Sequence, residues 1–264
     1  MLITTLAVDE LDARLTDWPS VFIAGRPPQH RRHYLVPVPA LTDLIDALPG
    51  GSGVQRLAGR VRLGHDVTYL DTPDHDAFHR EAHRRTPRLQ ARLLCYSDWG
   101  HCWLELETID AHGRTSERRQ PLEWPDDPGA LSGASPYLAS RQAAWVDRWL
   151  AHHHLPVIAT RLRPALNLTY SGTGFELADG TAFTVDTNLQ WRTPEGDTAN
   201  LDGLALVTTR TAAADNPAEE SLRRAGLRPV RFSGYATGLA LLRPDLVAPH
   251  QWRRALALMA SSGR

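Results

Sequence analysis

The sequence has almost no excess charge and few cysteines, and each shortage excludes a class of protein. Its 264 residues include 29 Lys and Arg against 30 Asp and Glu, a formal net charge of −1. A chain without a basic field is not expected to bind nucleic acid. Two cysteines are too few for the disulfide framework of a small secreted domain. We therefore expect Cys95 and Cys102 to be buried thiols.

Long apolar runs are missing as well. No segment is apolar over the length that spans a membrane, and the first residues run into acidic positions rather than forming a signal segment. We expect a cytoplasmic protein with no membrane insertion. A glycine-rich phosphate loop and a Ser-His-Asp nucleophile pattern are also absent from the sequence.

Three histidines, His75, His79 and His83, recur at intervals of four residues, with aspartates close by. On a helix they would share one face, and two histidines at this spacing are able to bind Zn²⁺. A metal site needs further ligands in a fixed geometry, however. We expect exposed histidines without a ligand and keep a metal site as the weaker alternative.

Two segments in the first half alternate strictly between apolar and polar residues, as half-buried antiparallel strands do. They cover 88–96 and 102–107 and flank a short turn that contains glycine. If the ends of the turn lie opposite each other, Arg92 faces Glu105 and one face of the hairpin is wholly apolar. The polar face lies either in solvent or in the lumen of a closed barrel, where arginines could bind phosphate oxygens.

Local signals also predict four helices outside these strands. Apolar spacing and capping residues indicate helices over 39–48, 137–152, 216–226 and 250–259. The segment 124–136, rich in proline and glycine, separates the chain into two halves. Each half is expected to contribute strands to one barrel, so we do not predict two independent domains.

Several short motifs follow one another in a specific order. Val-Thr-Tyr-Leu-Asp-Thr-Pro-Asp at 67–74 precedes the Arg-x-x-x-Arg of the first hairpin strand and the Leu-Glu of the second. Further matching segments lie at 30–37, 114–122, 162–170, 183–186, 204–211 and 232–238. Together they resemble the VTC domain of polyphosphate polymerases, which belongs to the triphosphate tunnel (CYTH-like) group. The resemblance covers roughly residues 28–245, and each motif alone is weak.

The resemblance implies an α+β fold, namely a closed antiparallel β-barrel of about eight strands with helices packed outside. The chain would then be a single domain over 1–264. Its parts would be an N-terminal extension at 1–27, a first half at 28–123, a connecting segment and helix at 124–160, a second half at 161–245, and a C-terminal helix at 246–264.

The same resemblance assigns candidate site residues, position by position. The anion-binding candidates are Arg88, Arg92, Arg118, Arg119 and Arg210, and the supporting carboxylates are Glu105 and Asp186. Other tunnel positions have lost the family's charge. Basic residues of the family are replaced by Gln90, Leu94, Glu107, Gly172, Ala182 and Gly234, a lysine by His33, and a metal-binding glutamate by Thr208.

These losses bear on function. A tunnel that holds several phosphates needs many cations, and Mg²⁺ or Mn²⁺ is expected only if the family's activity survives. We therefore favour a degenerate tunnel protein that binds a phosphorylated small molecule or polyphosphate, or performs diverged phosphoryl chemistry. The alternatives are a noncatalytic scaffold that binds a protein partner and an active polyphosphate polymerase, a phosphotransferase.

Overall fold

The computed structural model describes residues 15, 20–21, 30–57, 59–98, 100–122, 138–211, 217–246 and 252–262. Within these ranges eleven strands form one sheet. They are β1 (Ser20–Val21), β2 (His30–Pro37), β3 (Gly53–Gln55), β4 (Arg62–Asp71), β5 (Arg88–Tyr96), β6 (His101–Ile109), β7 (Thr115–Leu122), β8 (Arg163–Glu176), β9 (Ala182–Arg192), β10 (Thr198–Asn200) and β11 (Leu204–Thr211). The six α-helices of the same ranges are α1 (Leu41–Asp46), α2 (Asp76–Ala82), α3 (Ser140–His152), α4 (Pro217–Arg224), α5 (Gly234–Leu242) and α6 (Arg253–Ser262).

The main path of the sheet is antiparallel and strongly curled. Its strand order is β2-β11-β9-β8-β4-β5-β6-β7, so β2 and β7 are its two ends. In a flat sheet those ends would be about 34 Å apart, at about 4.8 Å per strand. Yet Arg31 on β2 and Glu117 on β7 form an ion pair at 3.7 Å. The sheet therefore bends until its two ends approach each other through side chains.

A closed barrel would also require backbone hydrogen bonds between β2 and β7, the two ends of the sheet. Among the described residues no backbone pairing joins β2 to β7, so the closed barrel expected from the family resemblance is not confirmed. What the structure shows is an α+β protein with a large antiparallel sheet. The face of the sheet that carries Arg31 and Glu117 is its inner face, because these two side chains meet across the curl.

The apolar face of the β5–β6 hairpin points away from this inner face. Leu93 on β5 and Leu104 on β6 belong to one buried cluster with Val146 and Leu150 of α3. Burial of such a cluster is the main stabilising contribution at this end, at about 1.5–3 kcal/mol for each fully buried aliphatic side chain. The polar face of the hairpin consequently lies inside the curl rather than on the outer surface.

The predicted register of the hairpin is confirmed. Arg92 pairs with Glu105 and Cys95 with Cys102. The expectation of free thiols is wrong, because the structure joins Cys95 to Cys102 in a disulfide. Their Cα atoms are only 4.2 Å apart, as for residues directly opposite on neighbouring strands. The expectation rested on the predicted compartment, and it did not follow from the strand geometry.

The predicted helices are largely confirmed. Three of them, α1, α3 and α4, lie within the ranges expected from the sequence, whereas α6 ends at Ser262, three residues beyond the predicted end. The connecting segment 124–136 and most of the extension 1–27 lie outside the described residues. Of the helices that are described, none combines the length and the apolar character needed to cross a membrane.

One half of the inner face is filled by helices. Residues of α2, α5 and α6 form a buried cluster with Tyr69, Leu168 and Trp191 of the sheet. The rings of Tyr69 and Tyr235 stack at 5.3 Å, and the Trp191 indole donates a hydrogen bond to the Gly234 carbonyl at 2.8 Å. This helical layer does not cover the other half of the inner face, where the side chains are polar.

Candidate anion-binding site

The polar half of the inner face is formed by side chains from eight strands, and we call it the concave site. Its members share a face because strand alternation and the register between neighbouring strands place their side chains on the same side of the sheet. They are Arg31, His33, His65, Arg92, Tyr96, Glu105, Arg119, Tyr170, Asp186 and Arg210.

The side chains of the concave site interact across the curl. Burial and the charge of Glu105 raise the pKa of Tyr96, while Arg119, Arg92 and Arg210 lower it. Arg210 lies on β11, four strands away from β5 along the sheet. Charges from distant strands act on one phenol only because the curl brings them together.

Arg92 and Glu105 form the central ion pair. The Arg92 Nε atom donates a hydrogen bond to Glu105 Oε2 at 2.8 Å, and the two side chains are 29% and 16% exposed. Burial lowers the pKa of Arg92, but Glu105, Tyr69 and Glu107 together outweigh it, so the pKa lies above its ordinary value. The pairing predicted from the sequence is confirmed, and it also means that the Arg92 charge is already compensated.

Arg118 and Arg119 are neighbours in sequence but lie on opposite faces of β7. Arg119 is opposite Glu105, which places it in the concave site, where it is exposed to water. Arg118 instead lies over the Trp149 ring of α3, with its guanidinium carbon 5.8 Å from the ring centroid. Arg118 is therefore removed from the candidate set, because alternate residues of a strand point to opposite sides.

Asp186 and Arg210 bring the second half of the chain into the site. Burial raises the pKa of Asp186 to about 7, and the charge of Arg210 counteracts the rise. Burial and the charge of Arg31 lower the pKa of Arg210, although an arginine stays protonated at any relevant pH. The Arg210 side chain remains exposed to water while many protein groups surround it, as expected inside a concavity.

An aromatic pair occupies the position where the family resemblance expects an arginine. The His65 imidazole stacks on the Tyr170 ring with centroids 4.4 Å apart and planes 6° from parallel. A Cβ atom built on Gly172 would lie 2.9 Å from the His65 ring and 3.0 Å from Asp186. An arginine therefore does not fit at position 172 unless His65 moves.

Histidine also takes part on β2. His33 Nδ1 and the Thr208 hydroxyl lie 3.0 Å apart and share a hydrogen bond. Burial, with the charges of Arg31 and Arg210, lowers the pKa of His33 to about 4, and burial likewise lowers that of His65 to about 4. Both imidazoles are consequently neutral near pH 7. They therefore add no positive charge to the concave site at that pH.

Two groups of sequence candidates lie elsewhere. Arg88 is at the far end of β5, where its charge counteracts the rise that burial causes in the pKa of the partly buried Glu81. His75 precedes α2 in a left-handed conformation with φ 53°, so the three histidines do not share one helix face. In the described part of the chain no three His, Cys, Asp or Glu side chains come together as a metal site would require.

Sequence reasoning missed His65 as a member of the site. The alternation of β4 could have predicted that His65 lies on the inner face. His65 is two residues before Val67 and four before Tyr69, so the three side chains point to the same side of the strand. The motif recognised in β4 begins at Val67 and so does not include His65.

The sequence matches no protein-family model and no curated protein. Solved structures do show similarity. HpAC1 from Hippeastrum, described as a putative adenylyl cyclase with a dominant triphosphatase activity, is 14% identical over 83% of this chain and 97% of its own, with a TM-score of 0.51. The PH1819 protein from Pyrococcus horikoshii OT3 is 12% identical over 82% of this chain and 98% of its own, with a TM-score of 0.44.

At these identities the likeness concerns the fold alone, and nothing in it points to the polyphosphate polymerase type. The curled antiparallel sheet with a polar inner face agrees with that likeness. The chain therefore shares its overall fold with HpAC1, and this agrees with the α+β architecture expected from the sequence.

Proposed function

We propose that the chain binds a small phosphorylated anion in the concave site and has lost the polymerase chemistry of the VTC type. The observation that carries the proposal is the state of Arg119 and Arg210. Both guanidinium groups are exposed to water inside the curl, and in the described part of the chain neither has a carboxylate within ion-pair distance. Guanidinium groups of this kind bind phosphate oxygens through charge-assisted hydrogen bonds.

The charge of the site limits how much phosphate it takes. Two of its arginines, Arg31 and Arg92, are paired with glutamates. The sequence contains no lysine, and burial keeps the two imidazoles of the site neutral near pH 7. Two arginines without a carboxylate partner compensate one phosphate group, whereas a polyphosphate chain brings about one charge or more per phosphate.

A divalent cation fits this site poorly. Glu105 is committed to Arg92, and Asp186 keeps its proton up to about pH 7. Thr208, at the position of the family's metal-binding glutamate, offers a hydroxyl that already bonds to His33. Mg²⁺ and Mn²⁺ prefer ionised carboxylates together with substrate phosphates. If the family's reaction survives here, its metal needs ligands beyond these residues.

Neighbouring arginines provide a matched test. We would titrate inorganic phosphate, tripolyphosphate and ATP, each with and without Mn²⁺, by calorimetry into the wild type, Arg119→Gln, Arg210→Gln and Arg118→Gln. We expect saturable binding that is roughly ten- to hundredfold weaker in the first two variants, since a hydrogen bond to a charged group contributes about 1.5–3 kcal/mol. Arg118→Gln should bind as the wild type does, because Arg118 lies on the outer face.

Other outcomes would contradict the proposal. Equal weakening by Arg118→Gln would show that binding follows total charge rather than the concave site. Manganese-dependent chain growth from ATP would establish the active polymerase instead. Saturation by none of the three anions would favour the noncatalytic scaffold and a protein partner.

A further inference from the structure

Glu105 brings a negative charge into the concave site, next to the arginines that we propose bind an anion. Its Oε2 atom accepts the hydrogen bond from Arg92 Nε at 2.8 Å. A carboxylate has about four lone-pair positions on its two oxygens, so it can accept further hydrogen bonds. In the described part of the chain no group donates to the other oxygen, Oε1. The side chain is 16% exposed, so a ligand inside the curl can reach it.

The Glu105 carboxylate lies beside the proposed anion. Glu105 and Arg119 are directly opposite each other on β6 and β7, and residues in such positions have Cβ atoms about 4.5–5.5 Å apart on one face. Glu105 raises the pKa of Tyr96, while Arg119 and Arg210 lower it, so all three surround one phenol. No ion pair joins the described side chains of Glu105 and Arg119. An anion held by Arg119 and Arg210 is therefore within reach of the carboxylate.

A carboxylate beside an anion site distinguishes oxyanions by their protons. An ion without a proton, such as sulfate, directs lone pairs and negative charge at the carboxylate and is repelled. Inorganic phosphate carries at least one proton near neutral pH, and a phosphate monoester loses its last proton only at a pKa of about 6. The hydroxyl of such an ion can donate to the carboxylate, and hydrogen bonds of this charge-assisted kind are short and strong.

We propose that Glu105 makes the concave site selective for oxyanions that carry a proton, because its carboxylate accepts a hydrogen bond from the hydroxyl of the ion. The inference rests on the proposed function and names the ligand class of that site. The ligand is free phosphate or the terminal phosphate of a monoester. Sulfates and phosphodiesters are rejected, since neither has a proton to donate. Arg92 is a positioning residue, because its Nε atom holds the carboxylate in place.

The other titratable groups of the concave site do not make this distinction at pH 6. Burial raises the pKa of Asp186 to about 7, so this carboxyl keeps its proton there. A protonated carboxyl can donate a hydrogen bond to either kind of ion. Burial lowers the pKa values of His33 and His65 to about 4, so both imidazoles are neutral. At this pH the discrimination between the ions therefore depends on Glu105.

Calorimetric titration at pH 6 and constant ionic strength tests the inference with four ions. Phosphate and arsenate carry protons, whereas sulfate and selenate do not. Sulfate is a dianion at this pH and phosphate is largely a monoanion, so charge alone would favour sulfate. We expect the reverse in the wild type, with phosphate and arsenate binding about tenfold more tightly or better, since each gains a hydrogen bond to a charged group. This comparison requires no variant.

Glu105→Gln should bring the ratio of phosphate affinity to sulfate affinity down to about one, because the amide of glutamine can donate to sulfate. Glu117→Gln is the matched control. Glu117 also forms an ion pair with an arginine of the inner face, Arg31, and its replacement removes the same charge while the Glu105 carboxylate stays in place. In this control phosphate should remain the tighter ligand. Melting temperature and circular dichroism establish that both variants are folded.

The outcomes separate the inference from the proposed function. Equal binding of phosphate and sulfate by the wild type, with both ions weakened by Arg119→Gln and Arg210→Gln, would overturn the inference and leave the proposed function in place. A phosphate preference that survives in Glu105→Gln, or that is lost equally in Glu117→Gln, would also overturn it. Saturation by none of the four ions would remove the proposed function and the inference together.

Discussion

Replacing Asp186 by asparagine measures how much the buried, ionised carboxylate lowers the free energy of unfolding. Burial raises its pKa from 3.8 to about 7, so the folded protein keeps a proton that the unfolded chain releases between those pH values. The protonated Asp186 therefore contributes stability at low pH, and this contribution is lost as the pH rises from about 3.8 to about 7. Asparagine carries no charge at either end of that window.

The magnitude follows from the shift. At 1.36 kcal/mol per pKa unit, a rise of this size corresponds to an upper limit of about 4 kcal/mol. Asp186 keeps some contact with water inside the curl, so we expect about half of that, roughly 2 kcal/mol. Asp186→Asn should accordingly be more stable than the wild type at pH 8, and the difference should shrink towards zero near pH 4.

Urea denaturation of both proteins at pH 4.5, 6 and 8 measures this difference. The variant comparison is essential, because His33 and His65, with pKa values lowered to about 4, act in the opposite direction. Their contribution to stability is lost as the pH falls from 6.5 to about 4. The exposed Asp202→Asn serves as control. A difference for Asp186→Asn that stays the same at all three pH values would refute the raised pKa.

Three further changes test other parts of the structure. A double-mutant cycle on Arg92→Ala and Glu105→Gln, followed by denaturation, should give a coupling energy above the 0.2–1 kcal/mol typical of exposed pairs, since both side chains are largely buried; a coupling near zero would contradict the geometry. Gly172→Arg alone should destabilise the protein and leave anion binding weak, because the new side chain meets His65. The double variant His65→Ala with Gly172→Arg should fold and bind tripolyphosphate more tightly in calorimetry. Equal stability of the two variants would mean that His65 does not obstruct position 172. Reducing the hairpin disulfide, which joins residues seven apart, should lower the free energy of unfolding by about 2 kcal/mol, as chemical denaturation with and without reductant measures; an unchanged midpoint would exclude a stabilising role.

Much of the fold followed from local patterns. The alternation in 88–96 and 102–107 determined both strands and their register, because a shift by one residue would expose every leucine of the apolar face. The helix signals were also reliable, since caps, prolines and glycines act within a few residues. The order of motifs along the chain predicted an α+β fold with a large antiparallel sheet, which the structure shows, together with a closed barrel, which it does not confirm.

The residues of the concave site could be predicted only in part from the sequence. Arg92 and Glu105 were paired correctly because they are neighbours across one hairpin. Arg118 was misplaced because the start of the β7 register depends on its pairing with β6, which single-strand patterns do not fix. Whether the polar face was solvent-facing or enclosed also stayed open, because both arrangements have the same alternation.

The sequence by itself determined which residues of the hairpin alternate and where four of the six described helices lie, since each of these depends on neighbours along the chain. Only the tertiary structure decided that the two ends of the sheet meet through Arg31 and Glu117. It also decided that Asp186 and Arg210 share a concavity with Arg119. These contacts join strands far apart in sequence, and they arise from the curl of the sheet, which no local pattern specifies.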